Sequence, residues 1–121
     1  MNQQFEEASA AEAGRYRRDR LTVAFVASLV ALVTDVPVSE ILARRRTTAA
    51  AVRARQTAIY LVHTALGWPL RRAADAFGRD RTTAGHAVQQ IEDLRDDASF
   101  DSRLSTMEAC LLQVIEPGVT A

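Results

Sequence analysis

The chain has 121 residues, 48% of them apolar and 25% charged, which suits one soluble globular domain with a hydrophobic core of its own. One cysteine, Cys110, excludes an internal disulfide, and two widely spaced histidines beside it supply neither a zinc site nor a nucleophile dyad. Fifteen basic and fifteen acidic residues cancel, yet every base is an arginine, and residues 44–86 hold nine arginines against Asp75 and Asp80, a local balance of +7.

Residues 1–18 are polar and Ala/Glu-rich, a flexible arm or a frayed helical extension preceding a domain over 19–116. Helix one is expected from Asp19 or Arg20 to Thr34, with Leu21, Val23, Val26, Leu29, Val30 and Val33 inward. Arg15 to Arg20 followed by this apolar run resembles a secretory signal. It starts late, follows an acidic leader, has no small-x-small cleavage site after it and is too short to span a bilayer. No membrane partner is expected. Asp35-Val36-Pro37 breaks the helix, since proline disfavours helix in the residue before it. Val38 to about Ala43 forms a short second helix, burying Val38, Ile41 and Leu42.

Arg44-Arg45-Arg46 form a basic link into Thr47 or Thr48, either able to cap a third helix from Ala49 to Leu66. Val52, Ile59, Val62 and Leu66 point to the core, Gly67 suits the C-terminal cap, and Pro69 suits the first turn of helix four. Helix four, Leu70 to Phe77, turns Leu70, Ala73, Ala74 and Phe77 inward. Helix five starts at Arg81 and runs to Arg95 or Asp96 on a stripe of Ala84, Ala87, Val88, Ile91 and Leu94. Ser99 or Asp101 caps a last, acidic helix reaching Ile115, ended by Glu116-Pro117-Gly118, with 117–121 as a tail. No segment alternates like a strand, so the fold class is all-α, with about six helices.

The corner entering helix five carries the chemistry. Gly78 permits a sharp reversal, Asp80 is a strong N-cap, and Arg81, Thr82 and Thr83 fill the first turn. Hydroxyls, a guanidinium and free backbone N–H groups at a helix tip are what a helix-turn-helix inserts into a major groove. Capping alone explains Asp80, at about 1 kcal/mol, although its second oxygen remains available to a cytosine amino group. An arginine at a helix N-terminus opposes the helix dipole, so Arg81 points to an anionic partner.

In this order the segments resemble the C-terminal, DNA-box-binding domain of the bacterial replication initiator DnaA. Val30 to Leu42 resembles the opening of that domain, and Arg44 to Arg46 its basic link. Arg53-Ala54-Arg55-Gln56-Thr57-Ala58-Ile59-Tyr60-Leu61 resembles its long helix, and Leu70 to Phe77 its first helix-turn-helix element. Phe77-Gly78-Arg79-Asp80-Arg81-Thr82-Thr83 with His86-Ala87 resembles its signature. The likeness covers roughly residues 28–97.

It implies base and phosphate contacts by Arg79, Asp80, Arg81, Thr82 and Thr83, a DNA-facing His86, and phosphate contacts by Arg55 and Gln56. Arg53, Arg71 and Arg72 are further basic contacts, and His63 is divided between packing and phosphate. One of Arg44, Arg45 and Arg46 enters the minor groove; the link is a residue longer than usual and leaves all three open. Trp68 reads as core or hinge packing. Three departures stand out: one glycine where the family has two, Arg81 where it has histidine, and Gly85 where it has a larger apolar residue. Arg81 favours guanine through its two major-groove acceptors.

The chain has no Gly-x-x-x-x-Gly-Lys-Ser/Thr loop and no lysine to build one. A stand-alone reading head without an ATPase motor is therefore expected, not an enzyme, with no cofactor and no metal. The expected function is sequence-specific binding of double-stranded DNA by a bacterial transcriptional regulator, cytoplasmic and nucleoid-associated. Known stand-alone domains of this kind include activators of gene transfer agent or phage-like clusters. Competition at origin boxes is the alternative within DNA binding. A protein-interaction module using helix one or the acidic last helix is the alternative of another class. A homodimer, RNA polymerase or a DNA-bending protein remain open as protein partners.

Overall fold

Helix α1 runs unbroken from Asn2 to Thr34 in a computed structural model that describes residues 2–117. It starts well before Asp19 because the Ala/Glu/Gln-rich lead contains good helix formers and no proline. Val23, Val26, Ala27 and Val30 form its buried stripe. Leu21 and Val33, expected inward, are exposed: Leu21 lies on the opposite side of the helix from Val23, and Val33 sits on the last turn. The helix ends at Asp35, left-handed at φ 62°, a conformation aspartate tolerates better than most residues.

Helix α2, Val38–Ile41, is one turn and stops short of Ala43; Ile41 is buried, while Val38 and Leu42 are half-buried. Helix α3, Ala49–Thr64, is capped by Thr48, whose hydroxyl accepts from Ala51 N–H at 3.1 Å. It ends before Leu66 because the chain turns at Gly67, φ 77°, and Trp68 N–H folds back onto Val62 O at 3.1 Å. Leu66 and Trp68 are thereby buried. Ile59 and Val62 are buried as expected, but Val52 is exposed, one turn from the helix start and beside the basic link.

Pro69 immediately precedes α4, Leu70–Phe77, as its N-cap residue. Helix α5 spans Arg81–Leu94, with Ala84, Ala87 and Ile91 buried and Val88 and Leu94 half-buried. Helix α6, Ala98–Val114, is capped by Asp97, which accepts from Phe100 N–H at 2.8 Å, earlier than the expected Ser99 or Asp101. Pro117 is the last described residue, so the rest of the expected tail, Gly118 included, lies outside the description.

The described residues form six helices and no strand, an all-α fold. Helix α3 is the axle, packed by α1, α2, α4 and α5, while α4 and α5 pack on each other and α6 leans on α1. Leu104, Met107 and Leu111 seat α6 in the common core. Among the described residues no helix is long and apolar enough to cross a membrane, and no group of three or more His, Cys, Asp or Glu side chains is placed to hold a metal.

Candidate nucleic-acid interface

The corner between α4 and α5 is built from its caps. Gly78, left-handed at φ 67°, closes α4 through Gly78 N–H to Asp75 O at 3.1 Å and Arg79 N–H to Ala74 O at 2.8 Å. Two residues on, Asp80 Oδ1 accepts from Thr83 N–H at 2.7 Å and starts α5. The backbone and hydroxyl of Thr83 hold the Asp80 carboxyl below its ordinary range, so it is ionised near neutral pH. Arg81, Thr82 and Thr83 are exposed, and no acidic residue occupies the first turn of α5. Among the described residues the Arg81 guanidinium has no hydrogen-bond or ion-pair partner.

The basic link is tied to this corner. A one-turn helix leaves its last carbonyls without partners, and here two distant arginines supply donors. Arg55, from α3, donates through Nε to Ile41 O at 2.8 Å and through Nη2 to Glu40 O at 3.1 Å and Thr47 Oγ1 at 3.2 Å. Arg79, from the corner, donates through Nη2 to Ala43 O at 2.6 Å, while its Nε is buried without a hydrogen-bond partner. The Arg44 guanidinium lies over Gly78 so closely that a Cβ there would stand 2.8 Å from Arg44 Cζ. Corner and link are thus one unit. Arg45 pairs with Glu40 at 2.6 Å on the surface.

Between link, α3 and α5 lies an open groove of about 620 Å³, lined by Arg44, Arg45, Arg46, Arg53, Arg55 and Arg79 together with Thr47, Ala49, Val52, Gln56, His86 and Gln90. Six arginines face it and no carboxylate does. Burial and the neighbouring Arg79 lower the Arg55 pKa, with Glu40 opposing. An anion entering the groove relieves that repulsion.

The structure brings together Arg44, Arg45, Arg46, Arg53, Arg55, Gln56, Arg79 and His86 around the groove. Asp80, Arg81, Thr82 and Thr83 stand at the start of the helix that carries His86. Arg55 is buried, and its donors are directed at the link. Arg71 and Arg72 lie elsewhere, in a depression against α1 shared with Glu12, Asp19 and Asp75. Arg72 grips Asp19 through Nε at 3.0 Å and Nη2 at 2.8 Å and stacks over Trp68 at 4.1 Å, a clamp that holds α4 on α1. His63 Nδ1 is 2.6 Å from Trp68 O, so its ring serves the turn after α3. Gln90 lines the groove without having been expected there, and Val52, expected to face the core, lines it as well. Gln90 follows His86 by one helical turn, a spacing that marks a shared face.

The bacterial dnaA protein helix-turn-helix model matches residues 23–91. The chromosomal replication initiator protein DnaA of Pseudothermotoga lettingae is 29% identical over 90 residues, covering 72% of this chain and 20% of that protein. A crystal structure of a DNA replication initiation factor is similar with a TM-score of 0.71 and 27% identity, covering 90% of this chain and 32% of that one. The chain thus matches about a fifth of the length of the initiator DnaA compared with it. The matched segment opens on the buried stripe of α1 and closes at Ile91, so it holds the link, the arginine groove and the capped corner entire. With more than half its length inside that match, and with this architecture, the chain belongs to the bacterial DnaA helix-turn-helix family.

Proposed function

We propose that this chain binds double-stranded DNA sequence-specifically and regulates transcription. The observation that carries the reading is the exposed tip of α5, with an Arg81 side chain that has no partner among the described residues, beside an arginine groove with no carboxylate in its lining. The tip enters the major groove, where Arg81 takes a guanine and Asp80 accepts from a cytosine amino group with the oxygen that does not cap. Thr82 and Thr83 meet a thymine methyl or a phosphate. Arg44, Arg46, Arg53, Gln56, His86 and Gln90 follow the backbone and the adjoining minor groove, while Arg55 and Arg79 hold the link in place. Promoter occupancy, including that of a gene transfer agent or phage-like cluster, is the proposed biological setting.

Selection from random duplex followed by binding titration tests this. One enriched short motif, bound more tightly than random duplex, is the expected outcome. No binding to any duplex at low ionic strength overturns it. The name of the Pseudothermotoga relative, a replication initiator, favours a second reading, competition at origin sites. Genome-wide occupancy separates the two: promoters with altered transcripts on deletion for the first, the origin with altered chromosome copy number for the second.

A further inference from the structure

We propose that the cleft between α1 and the corner of α4 and α5 seats a further stretch of DNA backbone, with Arg17 and Arg20 as its phosphate donors. This rests on the duplex-binding reading above and carries the footprint beyond the helix-turn-helix and its link. The cleft, about 490 Å³, lies between α1, the residues that follow α2 and the end of α4. Among the described residues three arginines line it, Arg17, Arg20 and Arg44, and no carboxylate does. The neighbouring side of α1 differs. In the depression shared with α4, Glu12, Asp19 and Asp75 stand against Arg15, Arg71 and Arg72, so the charges cancel, and Asp19 is held by Arg72 at 2.8 Å. Helix α1 thus spends its acids toward α4 and leaves the cleft with three uncompensated positive charges.

Both α1 arginines are placed to take an anion. They are exposed and three residues apart, about 4.5 Å along the helix axis, so they share one face. Among the described residues the Arg17 guanidinium has no hydrogen-bond or ion-pair partner. Arg20 donates through Nη1 to the Tyr16 hydroxyl at 3.0 Å, its guanidinium 5.8 Å from the ring centre. A neutral phenol holds that guanidinium in place without cancelling its charge, and Nε and Nη2 remain to donate. Leu42 and Phe77 supply an apolar wall, against which a phosphate–guanidinium pair is screened less than in open water.

Continuity with the arginine groove names the occupant. Arg44 lines both the groove and the cleft, and its guanidinium lies over Gly78, two residues before the cap of α5. A strand that follows the groove past Arg44, beside the α5 tip, meets Arg17 and Arg20 without leaving positive surface. An acidic protein segment would be satisfied by the cleft alone, whereas a duplex uses its junction with the base-reading tip.

Salt titration and phosphate-ethylation interference test this on the selected duplex, extended by about one helical turn (~10 base pairs) on each side. Arg17→Ala/Arg20→Ala should weaken selected and random duplex by the same factor and make the salt slope shallower by about 1 to 2. It should also abolish interference at phosphates that the wild type requires. Arg17→Lys/Arg20→Lys should keep most of the slope, since lysine retains the point charge. Arg15→Ala removes one charge from the same helix on the side toward α4 and should change neither readout; circular dichroism verifies the fold of each variant. A wild type that binds no duplex sinks the functional reading itself. A wild type that binds its motif, with slope and interference pattern unmoved in Arg17→Ala/Arg20→Ala, overturns this seat alone, as does an equal loss in Arg15→Ala. Binding of poly-glutamate that these variants lose while duplex binding holds would assign the cleft to an acidic protein partner and overturn it too.

Discussion

Arg81 and Arg55 are both arginines of the same basic segment, and their surroundings assign them opposite tasks. Arg81 stands at the tip of α5 with no side-chain partner among the described residues, while Arg55 is buried with three hydrogen bonds into the link. Replacing Arg81 by alanine is expected to leave thermal unfolding unchanged. It should cost roughly 1–3 kcal/mol on the selected site, with relaxed preference at one base pair, as loss of a bidentate base contact does. Equal losses on selected and random duplex in a competition titration would refute base reading by Arg81. Arg55→Ala strips donors from three buried or half-buried acceptors and should lower stability by about 1–3 kcal/mol in urea unfolding. Affinity should weaken on all sequences alike. Arg55→Lys should not rescue it, since an ammonium lacks the planar fork that reaches Ile41, Glu40 and Thr47 together. Full stability in Arg55→Ala would show that the link holds its shape without this side chain.

Beyond the core seat of Leu104, Met107 and Leu111, helix α6 is tied to the end of α5 by one arginine. Arg95 donates to Asp101 at 2.5 Å, to Glu108 at 3.1 Å, to Ser105 and to the Tyr60 hydroxyl, and the Tyr60 hydroxyl donates in turn to Glu92 at 2.6 Å. Its bonds to Glu108, to the Tyr60 hydroxyl and to Asp101 raise the already high Arg95 pKa further. Burial raises the Tyr60 pKa above its ordinary 10, aided by Glu92 and opposed by Arg95. The fold therefore favours the neutral phenol. That contribution is fully present below pH 10 and is lost as pH climbs through the raised folded value. Urea midpoints measured from neutral to strongly alkaline pH should fall for the wild type and fall less for Tyr60→Phe; parallel curves would exclude Tyr60 as a source. The elements themselves were legible where punctuation is local. Gly78 and Asp80 mark the end of α4 and the start of α5. The start of α1 carries no such mark, since an Ala/Glu-rich lead reads equally as arm or helix. The cap of α6 falls in a run of four candidates, Asp96, Asp97, Ser99 and Asp101, that composition cannot rank. The candidate site was legible to the same degree: the tip of α5 is one contiguous motif. The clamps Arg72–Asp19, Arg79–Ala43 and Arg55–Ile41 join residues far apart in the chain, so no local pattern reveals which arginines are already engaged.

Over the whole molecule, the sorting of charge sets how strongly a duplex would be held in the proposed binding mode. The neutral total predicts no attraction to a polyanion, whereas the arginine groove beside α5 predicts a strong local one. The two views differ in salt dependence. Each phosphate neutralised releases condensed counterions, so with about five arginines on phosphates, log affinity should fall against log salt with a slope on the order of −4 to −5 on B-DNA. Arg46 and Arg53 are exposed and their guanidinium groups have no partner among the described residues, so substituting either by alanine should make the slope shallower by about 1, for selected and random duplex alike. Arg72→Ala should leave the slope intact, because that guanidinium faces Asp19 and Trp68, and should be felt in stability instead. Titrations over a series of salt concentrations with these variants locate the phosphate-facing side of the molecule without a co-crystal. A slope near zero, or one that Arg72→Ala changes and Arg46→Ala does not, would move the DNA-binding surface away from the groove and onto the α1–α4 side.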